Sequence, residues 1–263
     1  MMLQNFIIRS NNLILALNLT VILAVQAQTQ SEHTLHFLTK QCNEEVIQLN
    51  LDPGPFQDLV GSDFSVVLED GMARIQILVQ DCSEYWIDGE NLGPNQEIHI
   101  WLLIEGLRDI RPVIGAQQTR PTMTWLSLFD GATNLQARGA RMAAGNVQVP
   151  IDSVFLDPPG PEHGGSVHIS QNLTYSWTVV SEALPVLLLG VNHNVYTRDS
   201  AGNIFLNQIQ ALLHVSSIAS QGTLVVVGST DMLPIIRTGI YPVLVNTFFP
   251  MWTRGTLGIL PAR

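Results

Sequence analysis

The side chains best suited to chemistry fall in a few short stretches of the 263-residue sequence. His99 and Glu105 lie in Glu97-Ile-His-Ile-Trp-Leu-Leu-Ile-Glu105, where an even separation puts both on one face of a strand. They form an acid–base pair by type, since imidazole titrates near neutral pH and burial can bring a carboxyl towards it. Glu162 and His163 offer a second pair in Asp157-Pro-Pro-Gly-Pro-Glu-His-Gly-Gly-Ser-Val-His168. His163, His168 and His193 are candidate metal ligands, but their spacing matches no rigid ligand pattern, and a turn bearing surface histidines is the commoner outcome. Arg108, Arg111 and Arg120 cluster before Pro121, and Arg138 follows on a helix with Arg141. Such guanidinium groups bind a carboxylate or phosphate bidentately, or form local ion pairs on a solvated connection.

These groups need a frame, and most of the frame reads as strand. Ile98, Ile100, Leu102 and Ile104 alternate with Glu97, His99, Trp101, Leu103 and Glu105, so one face is aliphatic and the other mixes carboxylates, imidazole and indole. That second face is either solvated or the wall of a cavity. Met123, Trp125, Ser127 and Phe129 repeat the mixture, so Trp101 and Trp125 are the expected ring contacts of a bound small molecule. Other strands are expected over 46–51, 64–68, 72–80, 147–156, 166–170, 173–179, 186–189, 194–197, 204–215 and 223–227. Asp70-Gly71 reads as a hairpin turn, with Asp88-Gly89 as a further turn and Asp52-Pro-Gly-Pro55 as a loop. Prolines 234, 242 and 250 predict an irregular tail over 232–260.

One principal helix is expected over 134–144. Thr133 and Gln136 have capping-box spacing, Leu135, Ala140 and Ala143 or Ala144 recur near helical spacing, and Gly145 stands where a left-handed cap belongs. The fold class is thus mainly β, a large antiparallel sheet or barrel with one principal helix.

Residues 1–27 have the pattern of an export signal: Arg9, an apolar core from Leu13 to Val25, and Val25-Gln-Ala27 as the cleavage site. The remainder, 28–263, reads as a single β-rich domain of periplasmic or extracellular destination, and no later apolar run reaches membrane-spanning length. In that compartment Cys42 and Cys82 are expected to form a disulfide. The net charge of −10 argues against nucleic acid as a partner. Charged residues make up 13% of the chain, against ~25% in typical soluble domains, so self-association as a homo-oligomer or an enclosed apolar cavity is expected. No GxSxG, GxGxxG, GxxxxGK or HExxH occurs, and no cofactor is expected.

A strand ending in an acidic residue, then a second strand, then the helix Asn134-Leu-Gln-Ala-Arg-Gly-Ala-Arg141-Met-Ala-Ala-Gly145, followed by Val149-Pro150, resembles the middle of acetoacetate-decarboxylase-like proteins. The resemblance covers the central region. It implies an antiparallel barrel around an apolar cavity and a buried lysine that forms a Schiff base. The only lysine here is Lys40, far from the matching region, so that activity is not carried over. Three readings follow: a barrel that binds a small apolar or carboxylated molecule, a cofactor-independent lyase, isomerase or hydrolase using Glu/His pairs, and a structural self-associating exported protein.

Overall fold

The computed structural model describes residues 34–105, 122–158, 161–170, 173–180, 187–199, 201–228 and 236–259. The expected leader and Arg108, Arg111 and Arg120 lie outside them. In chain order the elements are β1 (Leu35–Leu51), α1 (Gly54–Val60), β2 (Ser65–Val66), β3 (Leu68–Glu69), β4 (Met72–Ile87), β5 (Glu90–Glu105), β6 (Thr122–Ala132), α2 (Leu135–Ala143), β7 (Val149–Pro150), β8 (Ser153–Leu156), β9 (Glu162–Ser170), β10 (Leu173–Val180), β11 (Leu187–Arg198), β12 (Ile204–Gly228) and β13 (Gly239–Ile259).

Seven strands close on themselves in the order β11-β6-β5-β4-β1-β13-β12, with β12 pairing back to β11. All these pairings are antiparallel except β11 with β6, which is parallel. The far half of β12 and the start of β13 leave the barrel and continue with β10, β9 and β8 as an outer sheet. Closure removes the unpaired edge that a sheet of this size would otherwise present.

Where the outer sheet covers the barrel, the wall strands have two buried faces. On β5, Ile98, Ile100, Leu102 and Ile104 join Ile47, Leu49, Ile75 and Ile77 of β1 and β4 in an aliphatic layer covered by Tyr175, Trp177, Leu224 and Val245 of the outer sheet. Full burial of each such side chain contributes roughly 1.5–3 kcal/mol. The opposite face of β5 carries Glu97, His99, Trp101 and Leu103 into the barrel, all buried, while Glu105 at the strand end is exposed.

The strand β1 is far longer than the Val46 to Leu51 segment that sequence predicts, because its polar Glu44 and Glu45 are buried on opposite faces and mask the pattern. The expected irregular tail is in fact the 21-residue β13, a central wall strand. Pro242 lies beyond Leu244, the last residue paired to β1, and Pro250 falls at a register shift against β12, so the barrel tolerates both rings. The expected loop after Asp52 becomes α1, with proline in the first turn, where a missing N–H is harmless, and Phe56 and Val60 buried. The turns at Asp70-Gly71 and Asp88-Gly89 have positive φ at both residues, as expected of tight hairpins.

The N-cap of α2 is Asn134, whose side chain accepts from the backbone N–H groups of Gln136 and Ala137; Thr133 instead accepts from the N–H of Gln96. Leu135 is exposed, and the inward residues are Ala137, Arg141 and Ala144. Ala137 and Ala144 pack on Phe37, Tyr85 and Leu257, placing the helix at the barrel end where β1 begins and β13 finishes. Gly145 has φ +80° and lies against the Phe205 ring, 2.4 Å from where a Cβ would stand, so any side chain there meets both strain and a clash.

Cys42 and Cys82 are bridged directly across the β1–β4 ladder. Closing a loop of sequence separation 40 restricts the unfolded chain by up to about 4 kcal/mol. Replacing both cysteines with serine is expected to lower the denaturant midpoint accordingly while leaving the far-ultraviolet circular dichroism of the folded state unchanged. An unchanged midpoint would show that the bridge adds nothing to the ladder.

Candidate functional site

The register of the wall decides which side chains meet inside. Three successive rows cross β1, β4 and β5: Glu44, Gln80 and Glu97; Val46, Leu78 and His99; Gln48, Gln76 and Trp101. The row of His99 ends on Asp130 of β6, and that of Trp101 on Ser127. Leu128 is an extra residue at the register shift between these pairs, and the resulting bulge turns both Ser127 and Asp130 inward although they are three apart.

The result is a buried chain of alternating charge. Asp130 Oδ1 lies 2.5 Å from His99 Nδ1, and Glu97 Oε2 lies 3.3 Å from His99 Nε2. Arg141 donates from Nη2 to the same Glu97 oxygen at 3.0 Å and from Nε to the Tyr85 hydroxyl at 2.6 Å. Asn95 donates to Glu97 and Ser127 to Asp130. Burial disfavours a charged His99, but its two carboxylate partners outweigh it and lift its pKa to about 9. Burial likewise opposes ionisation of Glu97 and Asp130; Arg141 and His99 reverse this for Glu97, and His99 with Ser127 for Asp130, so both carboxyls stay below their ordinary range. Two anions and two cations thus cancel one another out of contact with water.

A cavity of about 260 Å³ adjoins this chain, at the small end for a ligand pocket. Its polar wall includes Glu44, Gln80, His99, Arg141 and His193, and its apolar wall Val46, Leu78, Ile209, Leu213 and Phe248. Glu44 accepts a hydrogen bond from Gln80, yet burial pushes its carboxyl up to about 7. His193 is neutral, its pKa lowered to about 4 by burial. Trp125 donates from Nε1 to His193 Nδ1 at 3.0 Å, and because indole can only donate, the imidazole proton resides on Nε2. Trp101 lines the cavity, and its Nε1–H has no acceptor; Trp125 is fully buried beside His193. The rings of His99, Trp101, Trp125 and His193 have centroid separations of 5.5 to 6.2 Å.

Several sequence expectations are redistributed. Glu105, exposed at the far end of β5, is roughly 20 Å of strand from His99 and forms no pair with it. Glu162 is exposed and His163 buried, as adjacent strand residues must diverge. His163 lies outside the barrel wall, with Nε2 at 3.0 Å from Thr247 Oγ1 and 3.6 Å from Glu45. There Glu45 also accepts from Trp177, and burial raises its pKa to about 7. His168 is exposed on β9 and His193 faces the cavity, so the three histidines do not converge; no group of three metal-ligating side chains occurs among the described residues. Arg138 is half-buried and does not line the cavity, whereas Arg141 does. Lys40 lies beside Glu84 and the Trp86 ring, away from the cavity.

Glu44, Tyr85 and Asp130 have no local signal in the sequence. Glu97 was visible on the face of His99, but Asp130 meets His99 only through strand pairing, and nothing in the sequence marks Glu44 as buried.

No family model matches the sequence, and no curated protein matches it. Among solved structures, the enduracididine biosynthesis enzyme MppR complexed with pyruvate aligns with a TM-score of 0.52 at 11% identity, covering 87% of this chain and 89% of that one. Acetoacetate decarboxylase from Legionella pneumophila aligns at 0.50 and 10% identity over 86% of each chain. An acetoacetate-decarboxylase-like enzyme from Sphingomonas wittichii RW1 aligns at 0.50 and 11% identity, covering 88% and 93%. The chain has an acetoacetate-decarboxylase-like fold, as the resemblance of its central region implies.

The charges dictate a pH profile. Glu44 and Glu45 hold protons near pH 7 when folded but release them near 4.5 when unfolded, so their contribution falls across that window. His99, raised from 6.5 to about 9, stabilises fully below 6.5 and loses that contribution as pH rises to 9. Glu97 and Asp130, held low, lose theirs only as pH falls below their ordinary range. Thermal stability is therefore expected to peak near about pH 5 and decline towards pH 9, with Glu44→Gln flattening the part below pH 7. A melting temperature that rises from pH 5 to pH 8 contradicts this charge assignment.

Proposed function

We propose that this chain binds a small carboxylate with an apolar body inside the barrel. The reading is carried by an unspent donor at the cavity wall. Trp101 Nε1–H is buried without an acceptor, and Arg141, held through Nε and Nη2, lines the same cavity with His193. A buried donor left unpaired costs roughly 1–3 kcal/mol, which a ligand rich in acceptors recovers. Arg141 and His99, each already paired with a carboxylate, line the cavity together with the aliphatic side chains Val46, Leu78, Ile209 and Leu213, which suit a hydrocarbon body. MppR is known with pyruvate bound, a small carboxylate in a barrel of the same fold. The Schiff-base route of decarboxylation is not proposed, because Lys40, the sole lysine, is turned away from the cavity.

Export belongs to the same proposal. The apolar segment before Ala27 and the disulfide both suit an oxidising compartment. Expression of the full chain in a secreting host is expected to yield a mature product that starts at Gln28, read by intact mass; retention of residues 1–27 would remove the export reading.

Titration with hexanoate, followed by calorimetry and tryptophan fluorescence, tests the binding. Saturable binding with quenching or enhancement of the indole signal is expected. Ala211→Phe fills the cavity without touching the ion chain and should weaken binding at least tenfold while circular dichroism stays unchanged. Arg141→Met should do the same, with some loss of stability because Glu97 loses its strongest partner. Equal affinity in Ala211→Phe and the wild type would place the ligand elsewhere.

A further inference from the structure

The four charges along Asp130, His99, Glu97 and Arg141 already balance, so a ligand anion would add uncompensated negative charge to a largely apolar chamber. The compensating group must come from the wall itself. Glu44 is the wall residue able to change its charge there. It is 5% exposed, and its one hydrogen bond, from Gln80 Nε2, occupies Oε2 and leaves Oε1 available.

The surroundings of Glu44 come from every element around the cavity. From β4 it meets Gln80; from β5, cationic His99 with anionic Glu97 behind it; and from β6, Asp130 through His99. From α2 comes Arg141, and from β11 neutral His193. The contributions of β12 and β13 are uncharged, Ile209, Leu213, Phe248 and Asn246 among them.

Resting on the carboxylate reading above, we propose that Glu44 takes up one proton when the ligand enters and donates it, as a neutral carboxyl, in a hydrogen bond to the bound carboxylate. The balance is simple: a ligand anion and a proton enter together, no covalent bond to carbon changes, and the chamber keeps its net charge. An O–H donor facing an anionic acceptor forms a short, strong hydrogen bond, whereas two carboxylates sharing the chamber would repel. Glu44 thereby makes the binding of a carboxylate, but not of its neutral amide analogue, depend on proton uptake. It also makes the protein release its ligand as the surroundings turn alkaline. Because burial already holds the Glu44 carboxyl near the midpoint of its titration at neutral pH, the exchange is accessible under ordinary conditions.

Calorimetric titration of the full chain with hexanoate between pH 6 and pH 8, in phosphate and in Tris, tests this. Hexanoate is fully ionised throughout, so its own titration does not contribute. The expected Kd rises about tenfold from pH 6 to pH 8, and the buffer dependence of the heat at pH 8 corresponds to uptake of about one proton. Glu44→Gln keeps a neutral donor at the same place, so its Kd should vary less than about threefold over that range with no proton uptake, and hexanamide should bind the wild type without the alkaline loss. A flat Kd and no proton uptake in the wild type, or an undiminished pH dependence in Glu44→Gln, overturns the role of Glu44 while leaving carboxylate binding intact. Absence of hexanoate binding at pH 6 instead removes the carboxylate reading, and this inference with it.

Discussion

The interior of the barrel is governed by one electrostatic constraint: charges withdrawn from water must be neutralised by one another. Asp130, His99, Glu97 and Arg141 meet this through an unbroken sequence of contacts from a strand bulge to a helix. Tyr85, Asn95 and Ser127 occupy remaining positions around the chain, so its members are fixed in rotamer as well as in charge. Much of the architecture serves this arrangement. The helix must dock by its Ala137, Arg141 and Ala144 face to deliver the guanidinium, and the extra residue in β6 must be present to turn Asp130 and Ser127 to the same side. An apolar replacement of the whole set is conceivable on energetic grounds, since buried ion pairs rarely add net stability.

A second consequence concerns β1, where Glu44 and Glu45 are neighbours in sequence but serve opposite faces of one wall. Each has an elevated pKa from burial, and each has a single strong donor, Gln80 on the inside and Trp177 on the outside. The outer carboxylate lies beside His163 and Thr247 in the layer between barrel and outer sheet. The strand is thus polar on both sides at Glu44 and Glu45, where the matching stretches of β4 and β5 are polar on one.

What sequence could and could not disclose follows from these contacts. The alternation of β5 was legible because one of its faces is purely aliphatic, and it correctly paired His99 with Trp101 on the other. The disulfide was expected from the leader-like first segment and the helix was legible from local spacing, although the cap shifted by one residue to Asn134. Asp130 was hidden because its partner is 31 residues away across a bulged ladder, which no local period records. Glu44 was hidden because a carboxylate is ordinarily a sign of solvent. The tail was misread because proline normally ends strands, and its two rings happen to fall where the ladder has no need of their missing N–H groups. Arg141 rather than Arg138 reaches inward for a reason of helical phase that spacing alone leaves open.

The two longest strands, β12 and β13, each run through the barrel and on into the outer sheet. They stitch the two layers with continuous backbone, so there is no seam along which one layer can melt and leave the other standing. Among the described residues, the outer layer is thus joined to the barrel by main chain as well as by side-chain contact.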